Sequence, residues 1–416
     1  MLKRRSPSES EIYDAIIMGA RCAGSPLAML LARRGYRILV VDKARFPSDK
    51  ISTHMVWPPG VAALHRWGIW GQVAKCNPAL MDTGAVTIPA GKLVGPWHDV
   101  EGVNYTLGLR RFKLDAVLVQ AARDAGAEVR EGIAVTSLLG DNGRVTGIEA
   151  IDRSSGRRFR EHAKIVVGAD GSQSYVAAAM GAETYDTAPV LTANLFAYFA
   201  DMAAPRNVIE IVTEPPREHL VVPADDDLTV VNLIVSREIA DDYRQDTHRK
   251  FYEAFDKVPE LGERVRNARL VSKVYRYTAL PNFYRKPFGP GWALVGDAGH
   301  SRDPILAQGM HEAFLDAESL ADALDDGFSG RESLEESLQR HEKQRNARTW
   351  HTYRLCLQAA QFHLPSMERS RRFLGVLRDD PELIGEYRGL IAGSTDPLEF
   401  NRKLRERCAV SDSAAR

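Results

Sequence analysis

Cysteine is scarce and scattered: Cys22, Cys76, Cys356 and Cys408 form no Cys-x-x-Cys pair and no Cys/His spacing suited to zinc. This excludes a disulfide framework, predicts free thiols in a reducing compartment, and leaves no metal to expect. An excess of charge of one sign is also missing. Lys+Arg and Asp+Glu stand at 55 each, with no extended single-sign patch, so neither nucleic acid nor an anionic membrane is expected as partner. No run of about 18 apolar residues occurs, which excludes a helical membrane span. The basic opening, residues 1–11, lacks an apolar stretch of signal-peptide type and reads as a disordered tail, so the expected location is the cytoplasm. Internal repeats and low-complexity blocks are absent. What is there is a chain of 416 residues, 44% hydrophobic and 26% charged, long enough for two domains.

The pattern opens as a mononucleotide-binding half. An apolar run, Asp14 to Met18, breaks into a Gly-rich turn; Leu27, Leu30 and Leu31 then repeat at helical spacing up to Gly35, and residues 37–42 form a second strand. The breaker Trp57-Pro-Pro-Gly60 precedes a helix over 61–70, and residues 111–125 form another. Residues 129–139 and 144–151 read as strands of a hairpin around Asp141-Asn-Gly143, and 165–167 as a buried strand. From about 185 the period changes: 191–200, 207–212 and 228–235 read as strands of a separate sheet, interrupted by a charged helix over 239–255. Beyond Gly309 the chain is helical, over 310–324, 331–362 (an amphipathic surface helix) and 366–407.

Three glycine-bearing turns carry the chemistry. In Gly19-Ala-Arg-Cys-Ala-Gly24, Gly19 permits a tight turn and Gly24 lets a helix approach a strand, so that backbone N–H groups face a pyrophosphate. The dinucleotide pattern has glycine at the third position, where Arg21 stands; its side chain must either point away or lie along the phosphates. Cys22 reads as a small packing residue rather than a redox thiol. Asp42, 23 residues after Gly19, is placed to accept hydrogen bonds from an adenosine ribose. Gly168-Ala-Asp170-Gly171 and Gly296-Asp297 each end an apolar strand. Either turn alone is commonplace; their order and spacing behind Gly19 and Asp42 are not.

Taken together these motifs resemble the para-hydroxybenzoate hydroxylase-like flavoproteins, the single-component FAD monooxygenases, and their geranylgeranyl reductase-like relatives, over about residues 12–330. The resemblance implies an α/β fold. A Rossmann-like FAD-binding domain (12–184 and 278–330) holds an inserted, mostly antiparallel β-sheet substrate domain (185–277), followed by a helical region (331–416). Gly19 and Gly24 would line the FAD pyrophosphate and Asp42 its ribose. Arg111 would reach the cofactor from its helix, and Asp170 and Gly171 would serve FAD and nicotinamide. Asp297 would hold the ribityl chain, while Pro304 with Gln308, Gly309 and Met310 would form the turn beside the isoalloxazine. The stretch Ile305-Leu-Ala departs from the family's richer glycine run.

The implied reaction is hydroxylation of an aromatic or polyketide-like small molecule by O₂ through a flavin C4a-hydroperoxide, with NADH or NADPH as transient donor. No second nucleotide fingerprint is present. His54, His300 and His311 are candidates to stabilise reduced flavin or orient a phenol, against the alternative of packed imidazoles. Arg302 would attract an acidic substrate or pair near Asp303 at the surface. Phe196, Tyr198 and Phe199 are candidates to roof an aromatic substrate. Three alternatives remain: an FAD-dependent alkene reductase, a flavin-dependent halogenase, against which the lack of a Trp-x-Trp-x-Ile-Pro segment speaks, and a flavin-binding carrier or sensor without turnover.

Overall fold

The computed structural model describes residues 12–48, 52, 54–278 and 280–414; the expected tail, 1–11, lies outside them. Tyr13–Met18 is apolar at nearly every position, so it has no face to offer water and takes the middle of a parallel sheet. Ile38–Asp42 and Arg158–Gly168 flank it in parallel, and Trp292–Leu294 pairs in parallel with Arg158–Gly168. The strand before Gly296-Asp297 thus shares a sheet with the strand before Gly19. Helices Gly24–Arg33, Arg111–Asp124 and Gly309–Ser329 cover one face, packing Leu27, Leu114, Leu118 and Phe314 on Ile17, Val40, Ile165 and Val295. The hairpin Ile133–Asp141/Arg144–Asp152 covers the other; its two turn residues, Asn142 and Gly143, both have positive φ, as the tight hairpin turn requires.

The second sheet is mostly antiparallel. Its central strands are Thr192–Ala200, Thr229–Ser236, Arg217–Pro223 and Val208–Glu214, with Tyr275–Tyr277 on the first. Two strands come from far upstream: Thr83–Ile88, parallel to Val208–Glu214, and Gly91–Pro96. Side chains alternate in facing. Leu195, Ala197, Phe199, Val231 and Val235 pack on an outer layer of two helices, Thr247–Phe255 and Pro259–Asn267. Phe196, Tyr198, Val230, Ile234, Leu220 and Val222 face inward, against Trp57, Trp97, Ile305 and Ala307.

Two helical expectations need correction. The charged helix over 239–255 is split, because Asp246 adopts φ +53° and its carboxylate accepts the Arg249 N–H, starting a new helix after a short 3₁₀ segment. The helix over 331–362 is shorter, Leu334–Ala359; it exposes Glu335, Gln339, Lys343, Ala347, Trp350 and Arg354 as an amphipathic surface helix does, but the face it buries is largely polar. His341, Arg345, Thr349, Thr352 and Cys356 line one buried stripe, which an apolar period cannot reveal because most of it is polar. Arg345 is buried outright, donating to the carbonyls of Gly299 (3.3 Å) and Arg285 (3.1 Å) and to the Tyr185 hydroxyl (3.0 Å). Among the described residues no helix is long and apolar enough to cross a membrane.

Candidate active site

The first glycine turn is dictated by backbone contact. At Gly19 (φ +111°) a Cβ would lie 2.4 Å from the carbonyl oxygen of Ala169, and at Gly24 one would lie 1.8 Å from that of Gly19. Neither neighbour can yield, so only glycine fits. The helix from Gly24 starts with no side-chain cap, which leaves the positive end of its dipole to an anion. The carboxylate of Asp42 accepts the N–H groups of Ala20 and Ala44, both at 2.8 Å. Besides any ribose it would hold, it therefore fixes the loop.

Arg21 points away from the loop. Its Nη1 donates to Asp115 (2.6 Å) and its Nη2 to the Ser48 hydroxyl (3.0 Å), while Arg111 makes a two-pronged contact to the same Asp115 at 2.8 and 2.9 Å. One buried carboxylate thus anchors both guanidinium groups. Cys22 lies 3.5 Å from Asp115, and burial pushes its thiol up to about 12, so it is no redox thiolate.

The two downstream turns close on this loop. Gly296 (φ +62°) donates its N–H to buried Asp316 at 2.7 Å, and a Cβ on it would sit 2.9 Å from the Cβ of Ala23. Asp297 is exposed between buried Gly296 and Ala298. Its charge is felt at Arg111, Tyr277 and Arg302, groups from three separate parts of the chain. Asp170 is half-buried; Oδ2 accepts the Tyr175 N–H (2.7 Å), Oδ1 has no partner, and burial raises its pKa. Gly171 beside it has φ +85°.

After Asp303, Pro304–Leu306 make one 3₁₀ turn and Ala307 takes a left-handed conformation, φ +51°. Gln308 is buried: its Oε1 accepts from Arg302 (2.9 Å) and its Nε2 donates to the Ile391 carbonyl, tying the turn to the C-terminal helices. Gly309 is exposed and opens the long helix Gly309–Ser329, which has no side-chain cap. Met310 is buried, 3.7 Å from the Ser52 hydroxyl. A flavin fits this arrangement: glycines where side chains would collide, two uncapped helix starts, an exposed carboxylate between them and an orphaned carboxylate oxygen. The sequence-derived residues Gly19, Gly24, Asp42, Asp170, Asp297 and Gly309 converge here. Arg21 and Arg111 are both paired to Asp115.

The three histidines differ. His54 is buried in a left-handed conformation (φ +57°), sparsely populated for such a residue. Its Nδ1 accepts the Arg111 N–H (3.1 Å), which assigns the proton to Nε2, 2.9 Å from the Tyr198 hydroxyl. Burial, then the Arg111 charge, lowers it to about 3, so it is neutral. His300 lies in a buried network, with Nε2 2.7 Å from Arg302 and its ring stacked on Tyr284; burial and Arg302 hold it well below its usual range. His311 is buried beside Glu312 (3.8 Å), with both ring nitrogens unpartnered, and burial lowers it to about 4. Arg302 does not pair at the surface: it is buried and held by Gln308, Thr352, His300 and Glu312. Phe196 and Tyr198 face inward, but Phe199 points to the outer helices and stacks on Phe251 at 6.5 Å. No cluster able to hold a metal occurs among the described residues.

Sequence reasoning missed Asp115, Asp303 and the polar inner face of the second sheet. Asp303 is buried, its carboxylate 2.9 and 2.8 Å from the Thr192 hydroxyl, and burial raises it to about 6. Polar residues inside otherwise apolar strands, Asn194 and Asn232, were the available signal.

The family model described as an FAD binding domain matches residues 12–355. Protein FixC of Salmonella typhi is 33% identical over 180 residues, covering 41% of this chain and 39% of that protein. This chain thus spans about two fifths of that relative's length. A digeranylgeranylglycerophospholipid reductase of Methanocella arvoryzae is 27% identical over 309 residues, covering 72% and 74%. Among solved structures, the myxobacterial FAD-dependent halogenase CndH superposes with a TM-score of 0.77 at 20% identity, covering 96% and 97%. PqsL of Pseudomonas aeruginosa, a probable FAD-dependent monooxygenase, superposes at 0.68 and 21%, covering 92% and 99%. At that identity the two structures share the fold.

Proposed function

The chain belongs to the FAD-binding-domain family, and from that premise we propose that it is an FAD-dependent monooxygenase. In this reading it consumes NADH or NADPH and hydroxylates an aromatic or polyketide-like small molecule. One observation carries the reading: the turn at Gly296 packs on Ala23 of the first loop, while Ile305 and Ala307, just before the uncapped start of Gly309–Ser329, pack on the inner face of a second sheet. Bound FAD would supply electron transfer from the nicotinamide and activation of O₂.

The chain's own part is positional. N–H groups around Gly19 and Gly24 would hold the pyrophosphate, Asp42 the ribose and Asp297 the ribityl hydroxyls. The start of the helix at Gly309, with the turn from Pro304 through Gln308 to Met310, would set backbone N–H groups against negative charge on the ring. Asp170 and Gly171 stand beside the loop, at the end of their strand. Neutral His54, with its proton on Nε2, would donate to Tyr198 and aim that hydroxyl at a substrate hydroxyl. Phe196 and Tyr275, stacked at 4.9 Å, with Trp57 and Trp97 in edge contact at 5.1 Å, would exclude water. His300, His311 and Arg302 act in this reading as packing behind the turn.

A second reading, an FAD-dependent reductase of an isoprenoid or other alkene, is favoured by the length of the match to the Methanocella arvoryzae reductase and by the aromatic and aliphatic side chains that share the inner face with its polar groups. Halogenation is disfavoured: the tryptophans, at 57, 67, 70, 97, 292 and 350, form no Trp-x-Trp pair. The test is a screen of phenols, quinones and isoprenoid alkenes against the purified protein with NAD(P)H. Substrate-stimulated O₂ uptake with one labelled oxygen in the product supports hydroxylation. Anaerobic saturation of an alkene supports the reductase. Flavin that NAD(P)H never bleaches, with any candidate, supports a carrier.

A further inference from the structure

The inner face of the second sheet carries polar atoms that the rest of the protein does not serve. Register places Asn232 between Phe196 and Leu220, and Ile234 between Asn194 and Glu218. Side chains directly opposite in antiparallel strands share a face, so Asn194, Asn232, Glu218, Thr192 and Ser236 all look inward with Phe196 and Leu220. Asn232 is fully buried, and neither its Oδ1 nor its Nδ2 has a hydrogen-bond partner. Asn194 Oδ1, Ser236 Oγ and Trp97 Nε1, all buried on this side, lack one too. An unpaired buried amide loses its hydration with no return. A row of such groups, some donors and some acceptors, matches a ligand that carries the complementary groups.

The row ends at two carboxyl groups. Glu218 accepts from the Thr213 hydroxyl (3.1 Å), and Asp303 lies within 2.9 Å of the Thr192 hydroxyl through both oxygens. Both oxygens accept from that one hydroxyl, and Oδ1 also accepts the Ile305 N–H (3.2 Å). Asp303 immediately precedes Pro304, so the row runs up to the turn at Gln308. Burial raises Glu218 to about 7, with the Asp303 charge contributing, and holds Asp303 near 6; both groups are neutral donors more readily than ordinary carboxylates.

The nearby cations are already engaged. Arg302 is held by Gln308, Thr352 and Glu312, and Arg110 by Asp225 and Asp226. Arg388 donates to the carbonyls of Gly84, Gly95 and Pro96 behind Trp97, and Lys273 is exposed over the ring of Tyr275. Arg302, Arg110 and Arg388 are therefore not left to meet a carboxylate at Asn232.

We propose that this face selects an uncharged substrate. It takes a flat apolar body against the Phe196–Tyr275 stack and Trp57 and, at one end, adjacent hydrogen-bond donor and acceptor groups, as in an amide, phenol or enol, set against Asn194, Asn232 and Glu218. A ring bearing a carboxylate or an ammonium group is rejected. The inference rests on the monooxygenase reading only for where the reacting atom would lie.

The test is binding without turnover. FAD-loaded protein, with no NAD(P)H, is titrated at about pH 5, where Glu218 and Asp303 hold their protons, with benzamide, benzoate and benzylamine, following the flavin absorbance. Benzamide is expected to bind at least about tenfold more tightly than the other two, and Asn232→Leu to abolish that preference while retaining FAD. If Asn232→Leu does not retain FAD, Asn194→Ala is read in the same way. Benzoate or benzylamine binding as tightly as benzamide, an unchanged preference in the variant, or no response to any of the three overturns the proposal. Because no reductant is present, the preference can stand while hydroxylation fails, and the reverse.

Discussion

On the nucleotide side of the site, backbone meets backbone where Gly19 lies against Ala169 and Gly24 against Gly19, and Gly296 lies against the Cβ of Ala23. On the sheet side the backbone is ordinary, and the distinctive content is a set of inward side chains, several of them unpartnered. Tight backbone packing admits a single residue type at each position and binds what many proteins bind. A lining of side chains tolerates exchange, and its polar pattern determines which molecule it accepts. The difference teaches where to look for each property: cofactor affinity in the glycines and Asp297, selectivity in Asn194, Asn232 and Glu218.

The sharpest way to break this comparison is Gly24→Ala. The added Cβ would meet a carbonyl oxygen at 1.8 Å, with no side chain free to move aside. Loss of flavin and a destabilisation above about 3 kcal/mol are expected in thermal melts. A variant that melts normally and retains FAD would remove the steric half of the comparison.

Next in size is a pH effect on the sheet side. The folded carboxyl of Glu218 titrates near 7, raised from 4.5 mainly by burial. Between those values the folded state holds a proton that the unfolded state has released, so stability falls as pH rises from about 4.5 to about 7. Glu218→Gln removes that slope. It should match the parent below about pH 4.5 and exceed it at pH 8, by up to about 3 kcal/mol. Part of the decline, from Asp303, should persist in the variant up to about pH 6. Melts across the range decide it; identical profiles for parent and variant would show that Glu218 is not buried as described.

Asp297→Ala should raise the FAD dissociation constant by about ten- to a hundredfold, the value of one or two hydrogen bonds to a charged group. Its exposure predicts little change in the melting of the flavin-free protein. A fully loaded variant would count against its cofactor role. The smallest effect is expected from Tyr198→Phe: kcat lower by about tenfold with FAD affinity unchanged, since only the hydroxyl facing His54 is lost. Turnover equal to the parent's would remove Tyr198 from substrate orientation.

The nucleotide side was legible in the sequence because its constraints are local. A glycine forced by a turn, or a carboxylate at the end of an apolar strand, stands within a few residues of what it serves. Arg21 looked like a defect in the pattern until Asp115, 94 positions away, was brought beside it. The sheet side was much less legible. Arg217–Pro223 follows a Pro-Pro breaker and shows no clean alternation; Thr83–Ile88 and Gly91–Pro96 join it from more than a hundred residues upstream. Asp303 and Glu218 meet only after those strands are assembled. The helix Leu334–Ala359 was legible as a surface element, but the stripe it buries was not, because that stripe is mainly hydroxyl, imidazole and guanidinium. Phe199 illustrates the same point on a small scale: which face it takes is set by register, and register is a property of pairs of strands.

The contact of Gly296 with Ala23, and its N–H bond to Asp316, has a consequence for biosynthesis. The first loop emerges from the ribosome early, but the partner that closes it is made almost 280 residues later, and that partner's own support is later still. Until the helix beginning at Gly309 has emerged, the amino-terminal crossover is an open half-shell. A fragment that stops before Asp316 lacks the carboxylate that holds the Gly296 N–H, and is expected to bind FAD more weakly than the full sequence.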